Sequence, residues 1–596
     1  MNRTSQREIS QKFVRVLKLM RPFWFSLTNV MLVGMLIQSI GMAVPYFSQL
    51  LIDRAYPRHD IGLMHVLVGA VIAINIATVV MRNTRNYFSM RLSARLNGTT
   101  GLHFFNHIQH LPIRFFDGRR TGEIMSRFQD ISTSLNTVTN AFQTILMNGI
   151  YLVLVPPALF FINWKLALLA LFTIPLNVYL TYRLGHATRP YLKRTAEGYA
   201  ELRGVQIEAI ENVKTLKTIA SEGHNYRRIN GLLQEAIKLQ LRASRVGGVY
   251  GVLNGLVRAT STALYTWFGW HMIFSGELSL GGFIAFTTYV GYIYTPISEL
   301  IALFSDLQQS SVSFDRMFEY LDEKPEQDPA AAKAPEGKIK HRIGGDIELR
   351  DIEFGYSSDH PVLEGINLHI RRGSINAVVG PSGSGKTSLL RLITGLDRPD
   401  AGRILMDGKD SSTLPLSDLR RQMSVVWQEG GIIKGSIWDN LTLGAASPSR
   451  EWVEKVVRLC KLDELIESLP QKYDTEIAER GSTLSAGQRQ RVVIARALIR
   501  RVPILILDEA TANIDVETEM SILHGLFSEF RDRTIIFVSH RLSSAALADN
   551  VIVISSGRIA EAGPPAELMA RGGSYYRMCE QTRVTSPSEE VLTVAG

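Results

Sequence analysis

Apolar positions are spread unevenly along the 596-residue chain. Runs long enough to cross a bilayer, which takes about 20 residues, fall almost entirely before residue 310. Six spans are predicted, near 23–47, 63–81, 138–162, 164–184, 247–275 and 280–305. The first is too long for the core of a cleavable signal, and no cleavage site follows it. Two polar connections, after the second and fourth runs, are each about 55–60 residues long, far beyond ordinary loops. Both keep apolar residues at helical spacing, as Leu202, Val205, Ile207, Ile210 and Val213 do. No strand pattern or Gly/Pro cluster interrupts either one. They are predicted as helices extending the spans by about 35–40 Å, with short turns near Phe115–Gly118 and Glu211–Lys217. A pair of small independent domains is the alternative, and the periodicity disfavours it.

The pattern changes after the last run. Residues 322–345 are rich in Pro, Ala and charge and read as a linker. Beyond it short apolar strands alternate with helical patterns: IELRDIEF, INAVVG, ILILDEA, TIIFVSH and VIVISSG. That alternation predicts an α/β domain with a largely parallel sheet. The expected organisation is a membrane domain over 1–321, the linker, a second domain over 346–582 and a tail over 583–596.

Composition and charge narrow the function. The formal charge of +9 invites a nucleic-acid reading. The basic residues, however, crowd the N-terminus and the two long connections, while the opposite side carries little beyond Arg54, Arg58 and Lys165. That asymmetry is the positive-inside pattern, so the charge is topology and no nucleic-acid partner is expected. It places the N-terminus in the cytoplasm and, after six crossings, the C-terminal half there too. With only Cys460 and Cys579 in the chain, a disulfide framework or Cys-rich metal site is excluded.

The strand INAVV runs into G-x-x-x-x-G-K-T, from Gly380 to Thr387. Glycines permit the tight turn, and loop N–H groups with the following helix start cradle phosphate. Lys386 is expected on the β and γ phosphates and the Thr387 hydroxyl on Mg²⁺. The apolar strand ILILD ends in two acids. Asp508 suits Mg²⁺ or its water, and Glu509 sits where a water-activating base belongs.

In this order the motifs resemble those of ATP-binding-cassette (ABC) transporters, of the half-transporter exporter type, over nearly the whole chain. The resemblance implies ATP and Mg²⁺ as cofactors. It puts Tyr356 on adenine, and Gly380, Pro381, Ser382, Gly383, Ser384, Gly385, Lys386, Thr387 and Ser388 around the phosphates. Gln428 matches the glutamine that contacts Mg²⁺ and senses the membrane domain. Ser485, Gly487 and Gln488 match the signature LSAGQ, Asp515 the D-loop acid, and His540 the switch histidine at the γ-phosphate. Glu479 matches the loop that touches a partner's membrane extensions. Two positions depart from the family pattern: Ala486 stands where the signature usually has glycine, and Ala512-Asn513-Ile514-Asp515 replaces the usual Ser-Ala-Leu-Asp.

One P-loop and one signature make half a machine, because in this family the signature caps ATP held by another copy. Every hydrolytic residue is present, which favours a homodimer. The implied activity is ATP-driven export across the inner (plasma) membrane by alternating access, among membrane lipid. HLPIRFFDGRRTGEIMSRF and WQEGGIIKGSIWDNL resemble segments of bacteriocin and peptide exporters. With about 20 residues before the first span and no Cys among them, leader cleavage is not expected. A mature peptide is the first choice of substrate, and a lipid or drug the alternative; an ATP-gated channel or regulatory ATPase is remote. Arg258 and Glu299 lie inside apolar runs, where charge is costly. They mark a candidate substrate cavity, with Asn254, Thr262, Tyr292 and Tyr294 nearby, or else form a structural pair.

Overall fold

The computed structural model describes residues 15–16, 20–119, 121–327, 339, 341–357, 360–428, 430–478 and 481–585. The chain divides into two compact units: residues 1–109 with 120–324, and residues 110–119 with 325–596.

The first unit is helical. Trp24–Gly41 continues into Ala43–Leu50 and a π-turn at Leu51–Ala55. Four long helices follow: Ile61–Gln109, Thr121–Ile162, Ile174–Glu211 and Glu222–Phe274. Leu280–Leu321 closes the unit. The 49 residues of Ile61–Gln109 make a rod of about 73 Å, so the first long connection is helix outward from the span, as its periodicity predicts. A six-residue helix, Val213–Thr218, forms the turn of the second connection.

Among the described residues four helices are long and apolar enough to cross a membrane: Arg21–Ala55, Ile61–Gln109, Thr121–Ile162 and Trp164–Leu184. The runs predicted as fifth and sixth spans lie in Glu222–Phe274 and Leu280–Leu321, where Gly, Thr, Ser and Tyr dilute the apolar residues. Large side chains such as Val153, Phe161, Phe172 and Phe274 face outward, as side chains on a surface facing lipid or another subunit do. Inside, Leu159, Leu166, Tyr265, Phe286 and Val290 share one core. Gly269 makes room there, since a Cβ would meet the Phe283 ring at 2.3 Å. Buried hydroxyls satisfy one another: Thr173 Oγ1 lies 2.8 Å from both Ser261 Oγ and Tyr294 OH.

The second unit contains the short helix Ile113–Asp117 and two main sheets. β1 (Ile347–Ser357), β2 (His360–Ile370), β4 (Ala401–Met406) and β5 (Lys409–Asp410) form one sheet in the order β2-β1-β4-β5, all antiparallel. IELRDIEF therefore does not join the parallel sheet. Its mix of buried and exposed positions suits a strand with one solvated face.

The second sheet holds β3 (Ile375–Val379), β6 (Met423–Val426), β9 (Ile504–Asp508), β10 (Thr534–Val538), β11 (Asn550–Ser555) and β12 (Arg558–Gly563). Its order is β12-β11-β3-β10-β9-β6, parallel except for the edge strand β12. β3, β9 and β10 are buried along their whole length, which is why they read as continuous apolar runs. A small ribbon, β7 (Gly435–Ser436) with β8 (Glu476–Ile477), lies apart. One core joins the antiparallel sheet to the parallel one through Leu389, Leu390 and Ile393 of the P-loop helix.

The helix Ile113–Asp117 is fixed within this unit by charge. Arg114 Nε donates to Asp397 Oδ1 at 2.8 Å, and Arg391 bridges Asp397 and Asp117 at 2.6 Å each. Asp397 is buried between the two guanidiniums, so neither its charge nor theirs is left uncompensated. Further along, helix Ser574–Thr585 includes the first residues of the expected tail.

Candidate ATP site

In an open parallel sheet, ligands bind beyond the carboxyl ends of the strands, where the order reverses. β3, β9 and β10 are neighbours there, and each delivers part of the site. After β3, Gly380, Gly383 and Gly385 take φ of +153°, +78° and +103°. A Cβ at Gly380 would lie 2.1 Å from the Ile554 carbonyl, so the loop closes onto the sheet only with glycine. Pro381, Ser382 and Gly383 form an exposed crown above buried Ser384, Gly385 and Ser388.

Lys386 and Thr387 open the helix Lys386–Ile393. The Lys386 ammonium is buried and donates to the Gly380 and Pro381 carbonyls, both at 2.9 Å. Burial lowers its pKa, while the nearby Glu509 and Asp508 carboxylates oppose that shift. Thr387 Oγ1 donates to Asp508 Oδ2 at 3.0 Å. Asp508 is 2% exposed and its Oδ1 has no hydrogen-bond partner. Burial raises its pKa, the Thr387 hydroxyl pulling the other way. A buried unpaired carboxylate oxygen beside a hydroxyl fits a hard cation that completes its shell with phosphate and water. Among the described residues no cluster of three or more His, Cys, Asp or Glu side chains forms a protein-only metal cage.

Glu509 follows Asp508 with φ +49°, a left-handed conformation rare for a non-glycine residue. This turn lifts its carboxylate off the strand axis to where two other loops meet it. Gln428, after β6, donates from Nε2 to Glu509 Oε2 at 2.9 Å. His540, after β10, brings Nε2 within 2.5 Å of Glu509 Oε1. Residues 428, 509 and 540, far apart in sequence, thus converge on one carboxylate beside the P-loop.

Tyr356 stands at the end of β1 with its ring half exposed. Its hydroxyl is 3.0 Å from Ser388 Oγ, and the Arg391 guanidinium lies 5.6 Å from the ring centroid. The signature residues sit elsewhere. Ser485 caps the helix Ala486–Ile499 in a reciprocal box: the Gln488 amide donates to Ser485 Oγ at 3.2 Å, and the Ser485 amide to Gln488 Oε1 at 2.8 Å. Ser485 and Ala486 are exposed, and among the described residues no hydrogen bond joins Ser485, Gly487 or Gln488 to the P-loop. Gly487 passes close to the D-loop, where a Cβ would meet the Asn513 carbonyl at 2.9 Å. Asp515 acts as a helix cap, accepting from the Thr518 amide at 2.9 Å, and that bond lowers its pKa. Glu479 lies outside the described residues.

Three residues at the site escaped sequence reasoning. Gln490 donates to the Glu509 carbonyl at 3.1 Å and accepts from the Asn513 amide at 2.9 Å, holding the D-loop to the signature helix. Glu519 and Arg541 tie the D-loop to the loop of His540. In the helical unit, Arg258 and Glu299 take separate partners. Arg258 lies 5.6 Å from the Tyr294 ring centroid, and Glu299 accepts from Asn148 Nδ2 at 2.8 Å.

Residues 27–297 match the family model "ABC transporter transmembrane region", and residues 363–512 match the model "ABC transporter". An alpha-hemolysin translocation ATP-binding protein, HlyB of Escherichia coli O157:H7, is 31% identical over 555 residues, spanning 92% of this chain and 77% of that protein. The chain belongs to the ABC transporter family, as an exporter. This ABC exporter is also 30% identical over 557 residues to the transport/processing ATP-binding protein ComA of Streptococcus pneumoniae, spanning 93% and 76% of the two chains. A bacterial Atm1-family ABC exporter solved with ATP bound superposes with a TM-score of 0.81 at 25% identity, covering 94% of this chain and 98% of that one. The exporter is thus a membrane protein with a helical transmembrane domain and an ATP-binding cassette, and it is an ATP-hydrolysing translocase.

Proposed function

We propose that this exporter works as a homodimer of six-span chains and moves a mature peptide or small protein out of the cytoplasm. Its N-terminus and cassette lie on the cytoplasmic side of the inner membrane, as the positive-inside asymmetry supports. The observation that carries the dimer is Ser485: an exposed serine at the start of a 14-residue helix, joined among the described residues by no hydrogen bond to the P-loop of its own chain. The Gln488 amide is capped by Ser485, but a helix start directs its first amides and its dipole outward, and the anion this one suits is the γ-phosphate of ATP held by a second copy.

Within each site Glu509 is the proposed base that takes a proton from the attacking water, with Gln428 and His540 orienting it. Lys386 and the loop amides hold phosphate, and Tyr356 carries the adenine ring. Thr387, Asp508 and Gln428 would hold Mg²⁺, which neutralises charge on the β and γ oxygens. The peptide reading rests on relatives named for alpha-hemolysin translocation and for leukotoxin export.

The test is reconstitution in inside-out proteoliposomes, with three probes: a fluorescent cationic peptide, a fluorescent phospholipid and a lipophilic dye. ATP-dependent accumulation of the peptide, with stimulated hydrolysis, is the expected result. Phospholipid flipping or dye uptake without peptide accumulation would replace the peptide with a lipid or drug.

A further inference from the structure

Glu519 lies in the first turn of the helix Val516–Glu529 with its side chain 1% exposed. A carboxylate so deeply buried persists only with partners that replace its water. Its partners come from the two loops that carry the proposed catalytic groups. Thr511, two residues after Glu509, donates from Oγ1 to Glu519 Oε1 at 2.7 Å. Arg541, the residue after His540, donates from Nη1 to Glu519 Oε2 and from Nη2 to the Ile514 carbonyl at 3.2 Å. Ser544 adds a third tie to Oε1 at 3.0 Å.

These ties begin where the sheet stops. β9 and β10 are in register up to Asp508 and Val538, and the Glu509 amide makes one more ladder bond, to the Val538 carbonyl at 3.2 Å. Beyond that point strand pairing no longer fixes how far His540 stands from Glu509. The Glu519 carboxylate does: Oε1 accepts from Thr511 on the Glu509 side and from Ser544, and Oε2 accepts from Arg541 on the His540 side.

We infer that Glu519 is a positioning residue for ATP hydrolysis, setting the His540–Glu509 distance through Thr511 and Arg541. This rests on the reading of Glu509 as the base. The Glu519 carboxylate is buried and enclosed by Thr511, Arg541 and Ser544, so nucleotide affinity is not its concern. Its loss lets the two loops drift, and misplacements of about 1 Å cost on the order of 10²-fold in rate.

The experiment measures kcat and KM for ATP on the full-length protein in detergent or nanodiscs, with thermal unfolding alongside. Glu519→Gln preserves size but turns an acceptor oxygen into an amide facing Arg541. Thr511→Val removes one tie with little change of volume, and Thr511→Ser restores the hydroxyl. The expected result is a fall in kcat of about 10–10²-fold for Glu519→Gln and a smaller fall for Thr511→Val, with KM within about threefold. Thr511→Ser should return kcat to near the wild-type value. Should Glu519→Gln fail to fold, the Thr511 pair decides alone. A folded Thr511→Val protein with unchanged kcat, or a loss confined to stability, overturns the inference. Glu509→Gln, run in parallel, separates the two failures: if it turns over normally the base assignment is wrong, and if it is inactive while Thr511→Val is normal, only Glu519 loses its role.

Discussion

His540 Nε2 stands 2.5 Å from Glu509 Oε1, and Gln428 Nε2 holds the other oxygen of the same carboxylate at 2.9 Å. Groups that act in a proton transfer must lie within hydrogen-bond reach of one another. Here the reach is built by three neighbouring strands of one sheet, each ending at the same edge. The left-handed turn at Glu509 is the local cost of that meeting, of order 1–3 kcal/mol, and such strain gathers at functional sites.

Replacing Glu509 with Gln removes the proposed base but leaves Lys386 and the P-loop untouched. Hydrolysis should fall by about 10²–10⁴ while ATP still binds. Nucleotide affinity by fluorescence and phosphate release by a coupled assay give the two numbers. Wild-type turnover in that variant would remove Glu509 from the role.

The Tyr356 ring is half exposed, with its hydroxyl tied to Ser388 and Arg391 near one face. Stacking a base on an aromatic ring is worth about 1–3 kcal/mol. Tyr356→Ala should therefore raise the apparent KM for ATP by about 5–150-fold, whereas Tyr356→Trp should stay close to wild type. Titrating ATP against hydrolysis rate for both variants checks this. Equal behaviour of the two would mean that the ring carries no base.

The two cysteines differ in a way that reports folding. Cys460 is fully buried, and burial pushes its thiol up to about 12. Cys579 is partly exposed. A maleimide should label the native protein once, at Cys579, and twice after denaturation, as mass spectrometry will count. The raised Cys460 pKa also gives a pH signature. The buried neutral thiol stabilises the fold fully below about pH 8.5, the unfolded value, and that contribution is lost as pH rises toward 12. Alkaline unfolding of Cys460→Ala should show less dependence on pH over that window. Double labelling of the native protein would contradict the burial.

What the sequence revealed follows the range of the interactions involved. The P-loop is legible because its glycines, Lys386 and Thr387 are contiguous and obey a local geometry. Strands β3, β9 and β10 are legible because burial on both faces leaves an unbroken apolar run. β1 misleads as a member of the parallel sheet, since its alternation gives the strand but not its neighbours. The fifth and sixth runs are legible as helices, yet their polar dilution keeps them below the hydropathy of the other four. Glu519 and Asp397 are opaque in sequence. Each draws its meaning from partners such as Arg541 and Arg114, and nothing local marks a carboxylate that the fold will bury between distant loops. Arg258 and Glu299 stand out by cost in an apolar run, but cost alone does not name a partner. The fold gives Tyr294 to one and Asn148 to the other.

The central claim is that the signature of one copy completes the ATP site of another. The most direct measurement is a cross-link between Ser382→Cys on one copy and Ser485→Cys on a differently tagged copy. Both carry Glu509→Gln to hold ATP and Cys579→Ser to remove the reactive native thiol. Mild oxidation should join the two tags into one band when Mg²⁺ and ATP are present, and far less without nucleotide. A double Ser382→Cys, Ser485→Cys chain that closes the bond within itself, or an absence of any ATP-dependent band between copies, would contradict the account.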